Sequence, residues 1–142
     1  MGVNKRRISL REGKVFLDGL KVVDAEKLSI KFKPDVATSR SLGERGTSRR
    51  YLGYDIGIDM TKYKSTPWLK ELAKKYQDSG VTPEFTIQGI QDDKNSDAYE
   101  LNGSETVTCN GCVITGDISI LELDTGGEYV EETVTFGAVE MV

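Results

Sequence analysis

The chain has 142 residues, the length of one domain, and a globule of this size buries about 70% of the surface that its unfolded chain exposes. Its 19 basic and 23 acidic side chains give a net charge of -4, so no overall basic field draws the molecule onto nucleic acid. The sequence contains no histidine, which excludes an imidazole general base, a Ser-His or Cys-His nucleophile pair and a histidine metal ligand.

The first residues carry positive charge without the apolar stretch of a signal peptide. Lys5, Arg6 and Arg7 have few apolar neighbours. A membrane-spanning helix needs about 18 consecutive apolar residues, and no stretch of the chain approaches that length. We therefore expect a cytosolic protein without a membrane anchor, in which residues 1–12 form an extended arm before the folded domain.

Asp18-Gly19 is the clearest turn signal in the sequence. It separates the apolar-rich residues 14–17 from the similar residues 20–23. Asp-Gly is favoured in the two-residue type I′ turn, whose twist matches that of paired strands. These residues are therefore predicted to form a tight β-hairpin.

Two further segments, residues 27–33 and 51–60, alternate apolar and polar residues. This pattern is typical of strands with one buried face. If the two strands pair antiparallel, the apolar side chains, including Leu52 and Tyr54, face the core and the polar side chains share one solvated face. That polar face would carry Lys27, Ser29, Lys31, Asp55 and Asp59.

Residues 34–50 lie between these strands and show no apolar periodicity. They are rich in Ser, Thr, Gly and Arg, which predicts a long mobile inter-strand loop. Hairpin connections normally have about 2 to 5 residues, so a connection of this length indicates a binding role, with a disordered insertion as the alternative. Residues 40–50 are basic enough to bind an anion, but they include no aromatic side chain to stack on bases.

Residues 66–79 have the pattern of an amphipathic helix. Ser65 or Thr66 is the expected N-cap, Pro67 suits the first turn, and Gly80 ends the helix. An apolar stripe along this helix should pack against a sheet. The stripe consists of Trp68, Leu69, Leu72, Ala73 and Tyr76.

The remaining sequence predicts strands at residues 84–91, 105–123 and 129–136. The second of these is expected to break near Asn110-Gly111. About six strands and one helix are expected. The predicted fold class is mainly β (α+β), a curled antiparallel β-sandwich or split barrel with one flanking α-helix. Residues 1–142 form a single domain in this prediction.

Two short motifs are candidate metal or redox sites. Cys109-Asn110-Gly111-Cys112 has no second cysteine pair and no histidine to complete a site, so a strand corner with two small buried side chains is favoured. Residues 92–97 resemble the opening of a calcium loop, but Ala98 replaces the required glycine and Ser104 the required glutamate. No catalytic residue, cofactor or metal ligand is predicted.

The residues alone leave more than one class of function open. A small β-rich domain with exposed strands, a basic arm and a long polar loop has the features of an assembling subunit. The alternative is a monomeric β-barrel module that binds an anionic ligand or nucleic acid through the basic loop 40–50. An enzyme using Asp55 and Asp59 is disfavoured, because carboxylates four residues apart on a strand are about 13 Å from each other.

Several segments follow one another in an informative order. They are residues 12–19, the strand-loop-strand unit 27–60, the helix before residues 83–89, Asp92-Asp93, and the strand from Glu105. This order resembles that of the tail tube proteins of contractile phage tails and phage-tail-like particles. The resemblance spans nearly the whole chain.

The resemblance implies a structural, non-enzymatic subunit. In that family six copies form a ring, the sheets of neighbouring subunits join into one barrel around a lumen, and rings stack into a tube inside a sheath. The expected partners are the sheath protein, a baseplate or initiator, a tail terminator, and DNA or a tape-measure protein in the lumen. Assembly would take place in the bacterial cytoplasm, and the product would be a virion tail or a released tail-like particle.

The resemblance also implies roles for named residues. The loop 34–50 would reach the next ring, the arm would bind a neighbour, and the helix would lie outside. The expected inter-subunit residues are Arg40, Leu42, Glu44, Arg45, Arg49, Arg50, Lys5, Arg6 and Arg7. The polar face named above would line the lumen. Because a DNA conduit is expected to have an acidic lining, its lysines keep both a phage tail and a bacteriocin open.

Overall fold

The structure, a computed structural model, describes residues 13–94 and 103–142. This part of the chain forms eight strands and one helix, which confirms the mainly β prediction. In chain order they are β1 Gly13–Leu17, β2 Leu20–Lys21, β3 Ala25–Ser39, β4 Ser48–Tyr63, α1 Trp68–Ser79, β5 Phe85–Gln91, β6 Glu105–Ile114, β7 Glu131–Ala138 and β8 Glu140–Met141.

The strands form one curled antiparallel sheet in the order β2-β1-β5-β6-β7-β4-β3, with β8 paired to β6. Among the described residues the sheet does not close, and the long strand β3 lies at one of its edges. A Cβ atom added to Gly89 in β5 would lie 2.9 Å from Leu28 Cδ2 in β3. The two halves of the sheet therefore face each other across the core, as in a split barrel.

The core lies between these two halves of the sheet. In β4 from Ile56 onward and throughout β7 every second side chain is buried, as period-two alternation with one covered face requires. Leu69 of α1 joins this cluster. Its members are Val15, Ile56, Ile58, Met60, Leu69, Ile87, Cys109, Cys112, Val134, Phe136 and Ala138.

The predicted hairpin is confirmed. Asp18 and Gly19 have φ angles of 51° and 82°, the positive values that both central residues of a type I′ turn require. The turn is also fixed to β5, because Asp18 and Thr86 exchange two hydrogen bonds. The Asp18 amide donates to the Thr86 carbonyl, and the Thr86 amide donates to Asp18 Oδ1, both at 2.8 Å.

The helix begins slightly later than predicted. It starts at Trp68, and Pro67 rather than Ser65 or Thr66 occupies the N-cap position, with no side-chain hydrogen bond. Proline has no N–H to leave unsatisfied, so it is tolerated at a helix start. The other end agrees with the prediction, since Gly80 has a φ of 72° and its amide donates to the Tyr76 carbonyl at 2.7 Å.

The prediction of a long loop at residues 34–50 was wrong. β3 continues to Ser39, β4 begins at Ser48, and these two residues form the last pair of the ladder. Only residues 40–47 connect the strands. The apolar alternation is absent here because neither face of this part of the hairpin is covered, so a burial pattern cannot reveal the strands.

The break predicted near Asn110-Gly111 is a bulge within a continuous strand. Phe85 pairs with Cys112 and Ile87 with Cys109, so β6 carries one residue more than β5 at this point. Gly111 adopts a φ of 66°, which suits glycine best. Beyond the bulge β6 pairs with β7, and residues 115–123, predicted as strand, lie outside the ladder.

Candidate assembly surfaces

β3 and β4 pair antiparallel as predicted, and their register brings the polar side chains onto one face. Ser29 lies opposite Asp59, and Lys33 lies opposite Asp55. Lys27, Lys31 and both aspartates are exposed, whereas Ser29 is partly buried. The polar face of the sequence prediction therefore exists as one surface. That it lines a lumen stays a prediction.

β7 continues this polar face on the other side of β4. Thr135 pairs with Asp59, and its Oγ1 donates to Asp59 Oδ1 at 2.9 Å. Two residues further along the same two strands, the hydroxyl oxygens of the cross-strand partners Thr61 and Thr133 lie 3.3 Å apart. Lysines on the edge strand, aspartates in the middle and threonines beyond them make a hydrated surface of mixed charge. Within the described residues, no group of three His, Cys, Asp or Glu side chains could hold a metal ion.

The outer part of the β3–β4 hairpin projects beyond the rest of the sheet. β7 ends at Ala138, which pairs with Ile56, so residues 33–39 and 48–55 pair only with each other among the described residues. We call these two segments with the turn 40–47 the ribbon. Its strands extend about 25 Å past the sheet. Two-stranded hairpins are marginally stable on their own, so the ribbon gains stability from any partner that covers it.

The ribbon carries apolar side chains that the alternation had predicted to be inward. Leu52 is 67% exposed and Tyr54 is 53% exposed, because β7 does not extend far enough to cover them. Tyr54 stacks on Phe32 with ring centroids 5.3 Å apart, and its hydroxyl donates to the Val139 carbonyl at 3.0 Å. The core face of the sheet thus continues outward as an exposed apolar strip.

The tip of the ribbon, residues 40–50, is basic and exposed. Arg40 Nη2 donates to Thr47 Oγ1 at 2.7 Å and the Ser41 amide donates to Glu44 Oε2 at 3.3 Å. These contacts give the turn a defined shape. All predicted contact residues of this region are exposed, namely Arg40, Leu42, Glu44, Arg45, Arg49 and Arg50. The predicted contacts Lys5, Arg6 and Arg7 lie outside the described residues.

A buried polar cluster fixes the start of α1 to the sheet. Trp68 Nε1 donates to Glu132 Oε2 at 3.1 Å, and Lys62 Nζ lies 5.8 Å from the centroid of the Trp68 ring. Lys62 and Glu132 are cross-strand partners and both are buried. Trp68 also packs edge-on against Phe85 of β5. The cluster holds α1 on the core side of β4 and β7, opposite the polar face.

Of the two candidate metal or redox motifs, the structure describes one fully and the other in part. Cys109 and Cys112 are free, buried thiols, and Cys112 Sγ donates to the Cys109 carbonyl at 3.3 Å. Burial raises the pKa of both thiols, so they stay protonated. The candidate calcium loop lies partly outside the described residues. No helix of the described chain is long and apolar enough to cross a membrane.

Comparison with known proteins identifies the family. The family described as "Phage tail tube protein" (DUF2001) matches residues 3–142. The chain belongs to this family. The phage-like element PBSX protein XkdM of Bacillus subtilis strain 168 is 30% identical over 129 residues, which are 91% of this chain and 84% of the relative. The uncharacterized protein YqbM of the same strain has the same identity and coverage.

Solved structures of low sequence identity share the fold. A chain of the sheath-tube complex of PVC, an extracellular contractile injection system, superposes with a TM-score of 0.69 at 13% identity, over 96% of this chain and 90% of that one. A chain of a native gene transfer agent virion gives a TM-score of 0.56 at 17% identity, covering 92% of each. Family and fold together confirm the predicted resemblance, and the protein is a structural tail tube subunit.

Proposed function

We propose that this tail tube protein forms hexameric rings that stack into the inner tube of a contractile tail or tail-like particle. The observation that carries the proposal is the open sheet. β3 is a 15-residue strand at the sheet edge, and a free edge of this length favours pairing with another chain. If strands of the neighbouring copies pair there, six subunits close into one barrel without edges.

The polar face supports the placement of the lumen. In β3, β4 and β7 one side packs on the core, and the other side carries Lys27 and Lys31 of β3, Asp55 and Asp59 of β4, and threonines of β7. In a closed barrel of such strands one of the two sheet faces encloses the central space. A hydrated face of mixed charge suits a water-filled lumen that holds DNA or a tape-measure protein.

The proposed partners follow from the remaining surfaces. α1 lies opposite the polar face, so in the ring it faces outward toward a sheath. The ribbon tip reaches the next ring, and Lys5, Arg6 and Arg7 add contacts with a neighbour. Similar chains occur in a sheath-tube complex, in a sheath/tube terminator and in the baseplate of the anti-feeding prophage. We propose the corresponding partners here, assembly in the bacterial cytoplasm, and no catalytic activity.

Negative-stain electron microscopy of the purified protein over a concentration series, at low and at high salt, tests the proposal. We expect six-fold rings, alone or stacked into hollow tubes, at both salt concentrations, because the strand pairing that closes a ring over a large interface does not depend on ion pairs. Monomers at every concentration, combined with nucleic-acid binding that weakens steeply with salt, would replace the proposal by a monomeric module that binds through residues 40–50.

A further inference from the structure

The basic tip of the ribbon lies at one end of β4, and an acidic segment, residues 115–130, lies beside the other end, from Thr115, whose amide donates to the Thr135 carbonyl at 3.0 Å, to Val130. The tip adjoins Ser48, where β4 begins, and the acidic segment contacts the chain just after β4 ends at Tyr63. Lys64 Nζ donates to the Ile120 carbonyl at 3.0 Å and the Lys64 amide donates to the Val130 carbonyl at 2.9 Å. A strand of 16 residues is about 50 Å long, so the two regions cannot meet within one copy.

The two regions carry opposite charge. The tip has four arginines and one glutamate, whereas the acidic segment has four carboxylates and no basic residue. The arginines are Arg40, Arg45, Arg49 and Arg50, and the carboxylates are Asp117, Glu122, Asp124 and Glu128. All eight side chains are exposed, so each charge is free to face a second molecule.

Both regions also expose apolar side chains. Leu42 at the tip is fully exposed, with a relative accessibility of 106%, and in the acidic segment Leu123 is 87% and Tyr129 is 79% exposed. Tyr129 rests edge-on against Tyr63 with ring centroids 5.9 Å apart, and most of the Tyr129 side chain remains exposed. Exposed apolar groups beside charges of complementary sign mark surfaces that bind protein.

We propose that the ribbon tip of one copy docks on the acidic segment of a copy in the next ring. The inference rests on the stacking proposed above and names the surface that receives the tip. Complementary regions at opposite ends of one molecule form a head-to-tail contact, and such a contact builds an open filament where its rotation does not close a ring. The arginines pair with the carboxylates while Leu42 packs among Leu123 and its apolar neighbours.

Charge reversal at each end, alone and combined, tests the contact. The tip variant is Arg49→Glu/Arg50→Glu. The segment variant is Glu122→Lys/Glu128→Lys. It spares Asp124 because the Asp124 Oδ1 accepts from the backbone amide of Gly126 at 3.0 Å and holds a local turn, whereas Glu122 accepts only from the side chain of Ser119, at 2.9 Å. We expect each variant alone to lower the mass of tubes recovered by sedimentation about tenfold or more. With all four changes the changed positions of the two ends again carry opposite charges, and we expect tubes to be regained.

Matched controls use exposed charges of α1. Lys74→Glu/Lys75→Glu changes the net charge as the tip variant does, and Glu71→Lys/Asp78→Lys matches the segment variant. Both controls should form tubes like the wild type. Leu42→Ser, at a position with no burial to lose, should also shorten the tubes without affecting the fold. Thermal unfolding confirms that each variant is folded.

The outcomes separate this inference from the proposed function. Normal tubes from either reversed variant, or no recovery in the combined variant, would overturn the contact while rings and tubes of the wild type still support the assembly. Variants that form six-fold rings but no tubes, rescued by the combined changes, are the result we expect. A wild-type protein that forms neither rings nor tubes would overturn the assembly proposal and the contact with it.

Discussion

Cys109 and Cys112 show how single residues of this fold respond to their surroundings. Both side chains are fully buried, and burial raises the pKa of each thiol above its ordinary value of 9.0 because the thiolate would lose its hydration. The native state therefore holds these two protons more tightly than the unfolded chain does. The stabilisation is complete below the ordinary thiol pKa and is lost as the pH rises through the native pKa.

We predict that the free energy of unfolding falls as the pH is raised above 9, and that Cys109→Ala/Cys112→Ala reduces this slope. The double variant keeps part of the pH dependence of the free energy of unfolding, because a hydrogen bond with Glu26 also raises the pKa of Tyr63. Urea unfolding from pH 7.5 to 10.5 measures both slopes. Equal slopes in the wild type and the double variant would mean that the buried thiols do not titrate differently in the two states.

Some residues could be assigned from the sequence because their role is local. Asp18-Gly19 specifies a hairpin turn through the positive φ angles of both residues. The role of Gly89 is not local: it pairs in register with Val107, and it is close to Leu28 on the facing half of the sheet. That contact depends on how the sheet curls, which no local pattern encodes.

The ribbon shows that a local sequence pattern can also miss part of a strand. Periodicity detects a strand only where one face is covered, and beyond Ile56 neither β7 nor α1 covers the hairpin. Strand pairing itself continues to Ser39 and Ser48. The polar face of β3 and β4 could be predicted because its opposite face is core. Residues 115–123 of the acidic segment were predicted as strand because of their apolar pattern, although they lie outside the ladder and expose Leu121 and Leu123.

The ladder also defines a precise way to remove the tip. Joining Ser39 to Ser48 through Asn-Gly in place of residues 40–47 keeps the last pair of the ladder and supplies the preferred two-residue turn. We expect the shortened protein to fold, since a shorter connection lowers the entropy cost of closing the hairpin, and to form rings but no tubes. Thermal unfolding and electron microscopy give the two readouts.

A second variant separates the length of the turn from its side chains. Replacing residues 40–47 by eight Gly and Ser residues keeps the length and removes the charges and Leu42. If stacking depends on those side chains, this variant fails to form tubes as the shortened one does. Tubes of normal yield from the shortened protein would show that the turn has no part in stacking.

At the scale of the whole molecule, the surfaces differ in what they can bind. The edge of β3 offers backbone groups for lateral pairing, whereas the tip and the acidic segment offer charges and apolar side chains at the two ends of β4. The polar face offers neither an open edge nor a large apolar patch, so water is its natural neighbour. Ring closure, stacking and the lumen therefore use separate parts of one small domain in the proposed tube.

We predict that a label on Lys31 lies inside the tube. In Lys31→Cys the new thiol is exposed, whereas the two native thiols are buried, so a maleimide gold cluster reacts selectively before assembly. Lys75→Cys on the exposed side of α1 is the matched control and should place gold on the outer surface. Electron microscopy of tubes seen end-on distinguishes the two positions. Gold from Lys31→Cys on the outer rim, or gold from Lys75→Cys on the axis, would invert the proposed orientation of the sheet.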